Sequence, residues 1–288
     1  MTAEALFATD LDRTMIFSRN AFGGADAVAA ECVEYYEGEP LSYMTTTAVA
    51  QLRQLAATAP VLPTTTRTIE QFQRIALPGA PWRYAVTSNG GNILVDGLPD
   101  PTWRTAIDDQ VRTTGATLAE VGAELRTRVD DSWVMKYREA DDLFCYLVVH
   151  PDAVPAGFLA TWDTWCRAHG WSASQQGRKI YTMPDAVSKS FAIAEVRRRL
   201  VDSGELAAPA PLYAAGDGAL DAPMLRAADA AIRPRHGELE ELNFTAPNLT
   251  VTTAAGILAG EEILAWFHAH AALTLRGTAP SPAPATTT

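Results

Sequence analysis

Short apolar segments that end in polar or glycine-rich loops alternate with helical patterns in both outer parts of the chain. The apolar segments are "EALFATDLD", "APVLPTTTR" and "RYAVTSNGG" in the first part, and "APLYAAGDG", "DAAIRP" and "NLTVTT" in the last. Between them, segments such as "TAVAQLRQLAAT" and "AVSKSFAIAEVRRRLVDSG" have the apolar spacing of amphipathic helices. Because strands that alternate with helices are joined by crossovers and lie parallel, the sequence predicts an open α/β sheet.

The middle of the chain has a different order of elements. From about Trp103 the pattern is helix ("TAIDDQVRTTGATLAEVGAEL"), strand, strand, helix, strand, strand, which is typical of an antiparallel sheet with helices on one face. We therefore predict an inserted α+β domain at residues 97–184, within an α/β domain formed by residues 1–96 and 185–275. Residues 276–288 are rich in Pro, Ala and Thr without periodicity, which predicts a disordered tail.

Charge and composition limit the partners and the compartment. The formal net charge of −11 at pH 7 would repel the phosphates of a nucleic acid. No apolar run approaches the length of a membrane span, and the first residues lack the features of a signal peptide. The three cysteines are too scattered for a disulfide framework or a metal site, so we expect a protein of the reducing cytoplasm.

Acidic side chains crowd the ends of the predicted parallel strands. Asp10 and Asp12 follow the first strand, and such close carboxylates repel each other and are costly to desolvate. Ligands of open α/β sheets bind beyond the carboxyl ends of the strands, where Asp217, Asp221 and Lys189 would also lie. Clustered carboxylate oxygens suit Mg²⁺, and the cation would offset their repulsion beside a bound phosphate. The sequence therefore predicts a magnesium site at this edge of the sheet.

Four segments carry a resemblance to a known family. "DLDRT", "TTR", the "SK" of "AVSKSFAI" and "GDGALD" are similar, in order and spacing, to the four motifs of the haloacid dehalogenase (HAD) superfamily of phosphohydrolases. "TSNGG" and "TTAAGIL" resemble its sugar-phosphatase branch, and the inserted domain resembles the cap of the sucrose-phosphatase, mannosyl-3-phosphoglycerate phosphatase and phosphomannomutase relatives. The likeness covers nearly the whole chain except the tail, and it implies a Rossmann-like core with an inserted cap.

The resemblance implies a role for individual residues. Asp10 would be the nucleophile that forms an aspartyl-phosphate, and Asp12 the general acid and then the general base. Thr65 and Lys189 would hold the phosphoryl oxygens, although the three consecutive threonines leave the register open by one. The implied magnesium ligands are Asp10, Asp12 through its backbone carbonyl, Asp217 and, directly or through water, Asp221.

Basic and polar residues near the predicted site are candidates for substrate binding. They are Arg13, Thr66, Arg67, Asn89, Arg178 and Lys179. Arg178 and Lys179, like Lys136 and Arg138, lie on predicted strands of the inserted domain, where exposed charges without a role are the alternative. Arg13 and Thr66 stand where most relatives have glycine, and an arginine would be strained only if its φ were positive.

Three questions stay open at this stage. Residues 20–45 contain two strand-like runs around "EGEP" that predict a hairpin, which would form either a flap over the cleft or a dimer surface. The chain is accordingly a monomer or a homodimer. The leading functional hypothesis is a Mg²⁺-dependent phosphatase for a small phosphorylated metabolite such as a sugar or polyol phosphate. The alternatives are a phosphosugar mutase and a non-catalytic binding protein.

Overall fold

Five short parallel strands form the central sheet, as the alternating pattern predicts. The computed structural model describes residues 2–275 and Gly277, so the predicted tail lies outside the described residues except for Gly277. Across the sheet the strands follow the order β14 (Leu249–Val251), β13 (Ala230–Arg233), β12 (Leu212–Ala215), β1 (Leu6–Thr9) and β4 (Val61–Pro63). Strand β1 is therefore flanked by strands from both outer parts of the chain, which brings their ends to one edge.

The third predicted strand pairs differently from the prediction. Strand β5 (Tyr84–Thr87) contacts the parallel sheet through a single bridge between Thr64 and Val86. Its full ladder is antiparallel to β6 (Asn92–Val95), which in turn pairs with β7 (Leu98–Pro99). The alternation of apolar segments does not predict β6 and β7, whose signal is the Asp-Gly pair at residues 96–97, typical of a two-residue hairpin turn.

Helices cover both faces of the parallel sheet. Helices α1 (Thr46–Ala56) and α9 (Ile257–Leu275) bury Leu52 and Phe267 against Phe7 of β1, on one face. On the other face α6 (Lys189–Asp202) and α7 (Ala222–Ala227) pack in the hydrophobic cluster that contains Leu6 and Ala8. Neighbouring side chains of β1 thus enter opposite cores, as the period of two in a strand requires. None of the helices in the described residues has the length and apolar character needed to cross a membrane.

Two further helices are short. The apolar spacing of "TIEQFQRIAL", residues 68–77, predicts a further helix, but this segment is helical only over α2 (Ile69–Gln73). Helix α8 (Glu238–Glu241) has one turn and follows β13 along the chain. Both lie in loops at the carboxyl ends of parallel strands, where they leave room for a ligand.

An antiparallel layer occupies the middle of the chain. Its strands lie in the order β10 (Trp171–Gln176), β11 (Lys179–Pro184), β9 (Phe144–Val149) and β8 (Val134–Ala140). Its helices are α3 (Pro101–Thr114), α4 (Leu118–Thr127) and α5 (Phe158–Arg167). A hydrophobic cluster with the buried side chains Trp133, Trp162 and Trp171 joins the helices to the sheet. This layer has its own core, separate from the two cores of the parallel sheet.

The single helix that the sequence predicts at the start of the antiparallel layer is two helices in the structure. Helix α3 ends at Thr114, followed by the extended Gly115, and α4 begins after Thr117. The Thr117 hydroxyl accepts a hydrogen bond from the Glu120 N–H, and the Glu120 carboxylate accepts one from the Thr117 N–H. This capping box starts a new helix, and the amphipathic pattern alone does not reveal the break.

The insertion after the first strand forms the predicted hairpin. Strand β2 (Ala30–Tyr36) pairs antiparallel with β3 (Glu39–Thr45), and the ladder is interrupted by bulges on both sides of Glu34. Tyr43 of β3 packs on Phe22, with ring centres 5.7 Å apart. The hairpin therefore packs on the body of the molecule rather than projecting from it.

Candidate active site

Asp10 and Lys189 form a buried ion pair at the end of β1. The Lys189 ammonium donates to Oδ1 of Asp10 and to Oδ1 of Asp221, both at 2.6 Å, and the lysine is only 1% exposed. The other oxygen of Asp10, Oδ2, accepts a hydrogen bond from the Thr14 hydroxyl at 3.2 Å. One cation thus bridges carboxylates from the first and last parts of the chain.

Close backbone contact positions the start of α6, and with it Lys189. Gly90 lies against Ser188, where a Cβ on residue 90 would be 2.2 Å from the Ser188 carbonyl oxygen. Its φ of +102° also favours glycine. Asn89 is buried, and its side-chain amide donates to the Val187 carbonyl at 3.3 Å. Asn89, a predicted substrate ligand, therefore contacts the loop that precedes α6.

Asp10, Asp217 and Asp221 form a buried acidic cluster. Each offers a carboxylate oxygen, and these oxygens lie within 4.8 Å of one another. Oδ2 of Asp217 is buried and accepts no hydrogen bond in the part of the chain that the structure describes, and the half-exposed Arg13 guanidinium lies 3.8 Å away from it. A buried carboxylate oxygen without a donor is costly unless a cation is bound beside it. This acidic cluster could hold a metal ion.

The electrostatics of the cluster agree with a cation site. Burial raises the pKa of Asp10 to about 7, although Lys189 opposes the shift, and the negative charge of Asp221 adds to it. Burial and the negative charges of Asp10 and Asp221 raise the pKa of Asp217 well above its ordinary value. Burial alone would lower the pKa of Lys189, but Asp10 and Asp221 outweigh it and raise that pKa. Three buried carboxylates face one buried ammonium group, with the half-exposed Arg13 guanidinium 3.8 Å from Asp217, and the remaining negative charge fits a divalent ion.

The side chain of Asp12 lies apart from the acidic cluster and pairs with Arg67. The guanidinium donates from Nε to Oδ2 and from Nη2 to Oδ1, each at 2.7 Å. Partial desolvation would raise the pKa of Asp12, whose side chain is 49% exposed, but the charge and hydrogen bonds of Arg67 outweigh it and lower the pKa below the ordinary value. Asp12 is therefore ionised in this structure while the bidentate pair is intact.

The backbone of Arg13 is left-handed, with a φ of +60°. A positive φ is strained for a residue other than glycine, and the sequence alone did not decide whether Arg13 has one. The Gly256 N–H donates to Nδ1 of His236 at 3.0 Å, so Nε2 carries the proton and donates to the Arg13 carbonyl at 2.8 Å. Burial also lowers the pKa of His236, which favours this neutral form. Sequence reasoning gave His236 no role, because no spacing links it to Arg13.

The three consecutive threonines have different environments. Thr64 and Thr65 are fully buried, and the Thr65 hydroxyl accepts a hydrogen bond from the Arg67 N–H at 3.1 Å. Thr66 is partly exposed and lines the cleft beside Asp12.

A cleft of about 410 Å³ lies between the edge of the parallel sheet and the antiparallel layer. The parallel-sheet side contributes Asp12, Arg13, Thr66 and Arg67, and the antiparallel layer contributes Phe144, Tyr146, Arg178, Lys179 and Tyr181. The Lys179 ammonium lies 5.3 Å from the centre of the Tyr146 ring. Lys136 and Arg138, by contrast, are exposed on β8. The cleft thus combines cations and aromatic rings next to Asp12.

The hairpin supplies a cleft component that sequence reasoning missed. Leu41 of β3 lines the cleft, and the buried carboxylate of Glu34 accepts a hydrogen bond from Nη1 of Arg67 at 2.7 Å. An isolated glutamate in a strand of an insertion offers no spacing signal, so only its buried contact identifies it.

Comparison with known proteins connects this site to a fold family. No family model matches the sequence, and no curated protein does. The chain is similar in structure to the sucrose-phosphatase of Synechocystis sp. PCC6803 solved with sucrose and phosphate (TM-score 0.65, 12% identity, 93% of this chain and 99% of that one). It is also similar to a HAD subclass IIB sugar phosphatase (TM-score 0.54, 11% identity, 93% and 99% covered). A third similar structure is a trehalose-6-phosphate phosphatase related protein (TM-score 0.54, 17% identity, 95% and 100% covered).

These structures match the parallel sheet and the antiparallel layer together, since each alignment covers more than nine-tenths of both chains. The carboxyl end of β1, where Asp10 meets Lys189, therefore belongs to a fold that this chain shares with these structures. This chain has the fold of the haloacid dehalogenase superfamily of phosphatases.

Proposed function

We propose that this protein is a Mg²⁺-dependent phosphomonoester hydrolase that acts on a small phosphorylated metabolite through an aspartyl-phosphate. The observation that carries the proposal is the buried Asp10–Lys189–Asp221 arrangement beside Asp217, at the sheet edge of a HAD fold. Phosphoryl transfer requires mainly positioning and positive charge around the phosphoryl oxygens, and this arrangement supplies both. The similar Synechocystis sucrose-phosphatase was solved with sucrose and phosphate, which supports a sugar or polyol phosphate as the substrate here.

In the first step, a carboxylate oxygen of Asp10 attacks phosphorus, and the bond from phosphorus to the leaving oxygen breaks. Asp12 donates its proton to that oxygen. In the second step, Asp12 removes a proton from water, which attacks phosphorus and breaks the bond to Asp10, releasing inorganic phosphate. A phosphate ester in the cleft brings negative charge next to the Asp12–Arg67 pair, and this charge raises the pKa of Asp12 towards that of a proton donor while Arg67 still orients its side chain.

Lys189 and Thr65 hold the phosphoryl oxygens during both steps. The Lys189 ammonium already lies 2.6 Å from the nucleophile, so it can contact both Asp10 and the incoming phosphoryl group. The Thr65 oxygen accepts from the Arg67 N–H, and its own hydrogen can therefore point towards a phosphoryl oxygen. Positive charge at this position stabilises the charge that develops in the transition state.

The metal would be held by the carboxylates of Asp10, Asp217 and Asp221 and by the backbone carbonyl of Asp12. The buried Oδ2 of Asp217, which accepts no hydrogen bond and has only the Arg13 guanidinium at 3.8 Å, is the observation that fits this assignment. When bound, Mg²⁺ supplies positive charge to the phosphoryl oxygens and offsets the repulsion among the carboxylates.

The rest of the substrate would be held by the cations of the cleft. We assign the cations Arg13, Arg67, Arg178 and Lys179 to this role, together with the hydroxyl of Thr66, because each lines the cleft. Asn89 would act indirectly, through the loop before α6.

In this proposal residues 97–184 are a cap over a core formed by residues 1–96 and 185–275. The three cysteines are free, in keeping with a reducing cytoplasm.

We expect the purified protein with Mg²⁺ to release inorganic phosphate from one or more sugar or polyol phosphates in a phosphometabolite panel. Phosphate release and isomer formation should be measured in the same reactions. The mutase alternative instead requires an isomer without phosphate release, and the binding-protein alternative requires binding of a phosphate ester without turnover. The control is the same panel after removal of divalent ions with a chelator.

Magnesium affinity is expected to rise with pH. Because the pKa of Asp10 is raised to about 7 and that of Asp217 is also raised, the metal-free cluster holds protons at pH 6 that the ion must displace. We expect roughly one or more protons released per ion at pH 6 and fewer at pH 8. Calorimetric titration in buffers of different ionisation enthalpy measures this number, and binding without proton release at pH 6 would contradict the raised pKa values.

The same shifts have a consequence for stability. A carboxyl group whose pKa is higher in the folded state, such as that of Asp10, binds a proton more tightly there than in the unfolded chain. Its contribution to the free energy of unfolding therefore falls as pH rises from about 4 to 7. The metal-free protein should therefore lose thermal stability from pH 5 to pH 8, and Mg²⁺ should restore it.

A further inference from the structure

Glu34 is a buried acidic residue of the β2–β3 hairpin, outside the acidic cluster. Glu34 is 1% exposed, and its neighbour Val33 is 5% exposed. A regular strand directs neighbouring side chains to opposite faces, so it would not bury both of them on one side of an exposed hairpin. Bulges between Cys32 and Glu34 and between Glu34 and Tyr35 interrupt the ladder there. Such bulges re-aim a side chain, and here they direct a carboxylate inwards.

The Glu34 carboxylate receives hydrogen bonds from three parts of the fold. Oε2 accepts from the Ser42 hydroxyl of β3 at 2.5 Å. Oε1 accepts from Nη1 of Arg67 at 2.7 Å and from Nη2 of Arg74 at 3.4 Å. A buried carboxylate with charged donors on one oxygen and a hydroxyl on the other has little freedom to move. Glu34 is therefore a fixed point behind Arg67 and Arg74, which line the cleft.

Arg67 lies between two carboxylates. Its Nη1 is bound to Glu34, while Nε and Nη2 form the bidentate pair with Asp12. The guanidinium group is planar and rigid, so the hydrogen bond at Nη1 restricts the direction in which the other two donors point. The position of Glu34 thus sets the orientation of the group that holds Asp12.

We propose that Glu34 is a positioning residue: it anchors Arg67, and Arg67 orients Asp12 for proton transfer to the leaving oxygen. The inference rests on the proposed phosphatase function. It also assigns a role to the hairpin, which would contribute to the active site through Leu41, which lines the cleft, and through Glu34, which holds Arg67 from behind. Of the two roles considered for the insertion, a flap over the cleft and a dimer surface, this role is the one at the cleft, although the hairpin packs on the body of the molecule.

The effect of removing the Glu34 charge should be confined to proton transfer. Without that charge, Arg67 and Arg74 lie close together with no shared counterion, and the Arg67 guanidinium shifts away from its position. The nucleophile is held by different groups, since Asp10 contacts Lys189 and Thr14. Attack on phosphorus therefore keeps its geometry, while protonation of the leaving oxygen does not.

Two substrates that differ in the leaving group test this distinction. A sugar or polyol phosphate that the wild type hydrolyses needs a proton on its leaving oxygen, whereas an aryl phosphate with an acidic phenol leaves without one. For Glu34→Gln we expect kcat with the alkyl substrate to fall roughly 10- to 100-fold, and kcat with the aryl substrate to fall less than about threefold. Glu31→Gln, an exposed change on the same strand, should leave both values unchanged.

The ratio of the two kcat values is the decisive measurement, because any misfolded fraction cancels from it. Ser42→Ala removes one hydrogen bond to Glu34 and keeps its charge, so it should change the ratio in the same direction by a smaller factor. If Glu34→Gln and Ser42→Ala both keep the wild-type ratio, the positioning role of Glu34 is wrong, while the proposed phosphatase function still stands. A wild type that hydrolyses neither substrate would overturn the proposed function, and this inference with it.

Discussion

Replacing Asp10 with asparagine is expected to reduce phosphate release by at least about four orders of magnitude, because an amide cannot form the aspartyl-phosphate. Asparagine has nearly the same size as aspartate, and its oxygen can still accept a hydrogen bond from Lys189 or Thr14. The loss should therefore reflect chemistry rather than packing. Phosphate release in the presence of Mg²⁺ is the measurement, with an aryl phosphate and with the best substrate of the panel.

The same variant should fold at least as well as the wild type in the absence of metal. Burial raises the pKa of Asp10 to about 7, so the ionised side chain at pH 8 lowers the stability of the folded state. A neutral amide removes this penalty, and the thermal midpoint of Asp10→Asn at pH 8 should equal or exceed that of the wild type. Near pH 5 the wild-type group is protonated, and the difference should vanish.

An exposed aspartate serves as the matched control for this prediction. Asp131→Asn, in the antiparallel layer, should change neither turnover nor the thermal midpoint. If Asp10→Asn and the wild type hydrolyse the aryl phosphate at equal rates, another group is the nucleophile.

Replacing Lys189 with methionine should impair both stability and turnover. The ammonium group is almost completely buried between Asp10 and Asp221, so its removal leaves two carboxylates in contact without their cation. Breaking a buried ion pair in this way costs about 3–5 kcal/mol, and the loss should be largest at pH 8 in metal-free protein. At pH 5 it should be smaller, because Asp10 is then protonated. Turnover should fall roughly 10²- to 10³-fold through loss of a positive group beside the phosphoryl oxygens.

Urea unfolding at pH 5 and pH 8, with and without Mg²⁺, measures the loss of stability in Lys189→Met. Mg²⁺ should recover part of the lost stability, since it also neutralises carboxylates, but it should not restore turnover. Lys136→Met is the control, because Lys136 is exposed on β8. An unfolding free energy of Lys189→Met equal to that of the wild type at pH 8 would mean that Lys189 does not balance the charge of the cluster.

The acidic cluster could be anticipated because it depends on topology. Parallel strands end at one edge of a sheet, so residues that follow β1 and β12 must meet there however far apart they lie in the chain. Asp10, Asp217 and Lys189 are predicted from this rule and the order of the apolar segments, and the structure brings all three together. The antiparallel pairing of β5 and the break between α3 and α4 were missed, because both depend on local turn and capping signals that periodicity does not contain.

The order of residues along the chain was enough to predict the α/β class, the inserted antiparallel layer and the crowding of acids at one edge of the sheet. Each follows from the period and order of apolar segments, which local chain geometry converts into strands and helices. Three contacts of the site emerged only from the folded molecule. Arg67 contacts both Asp12, 55 residues away, and Glu34, 33 residues away, and His236 supports the backbone of Arg13. Charge pairing and desolvation depend on distance and burial in space, and the spacing of residues along a chain carries no information about either.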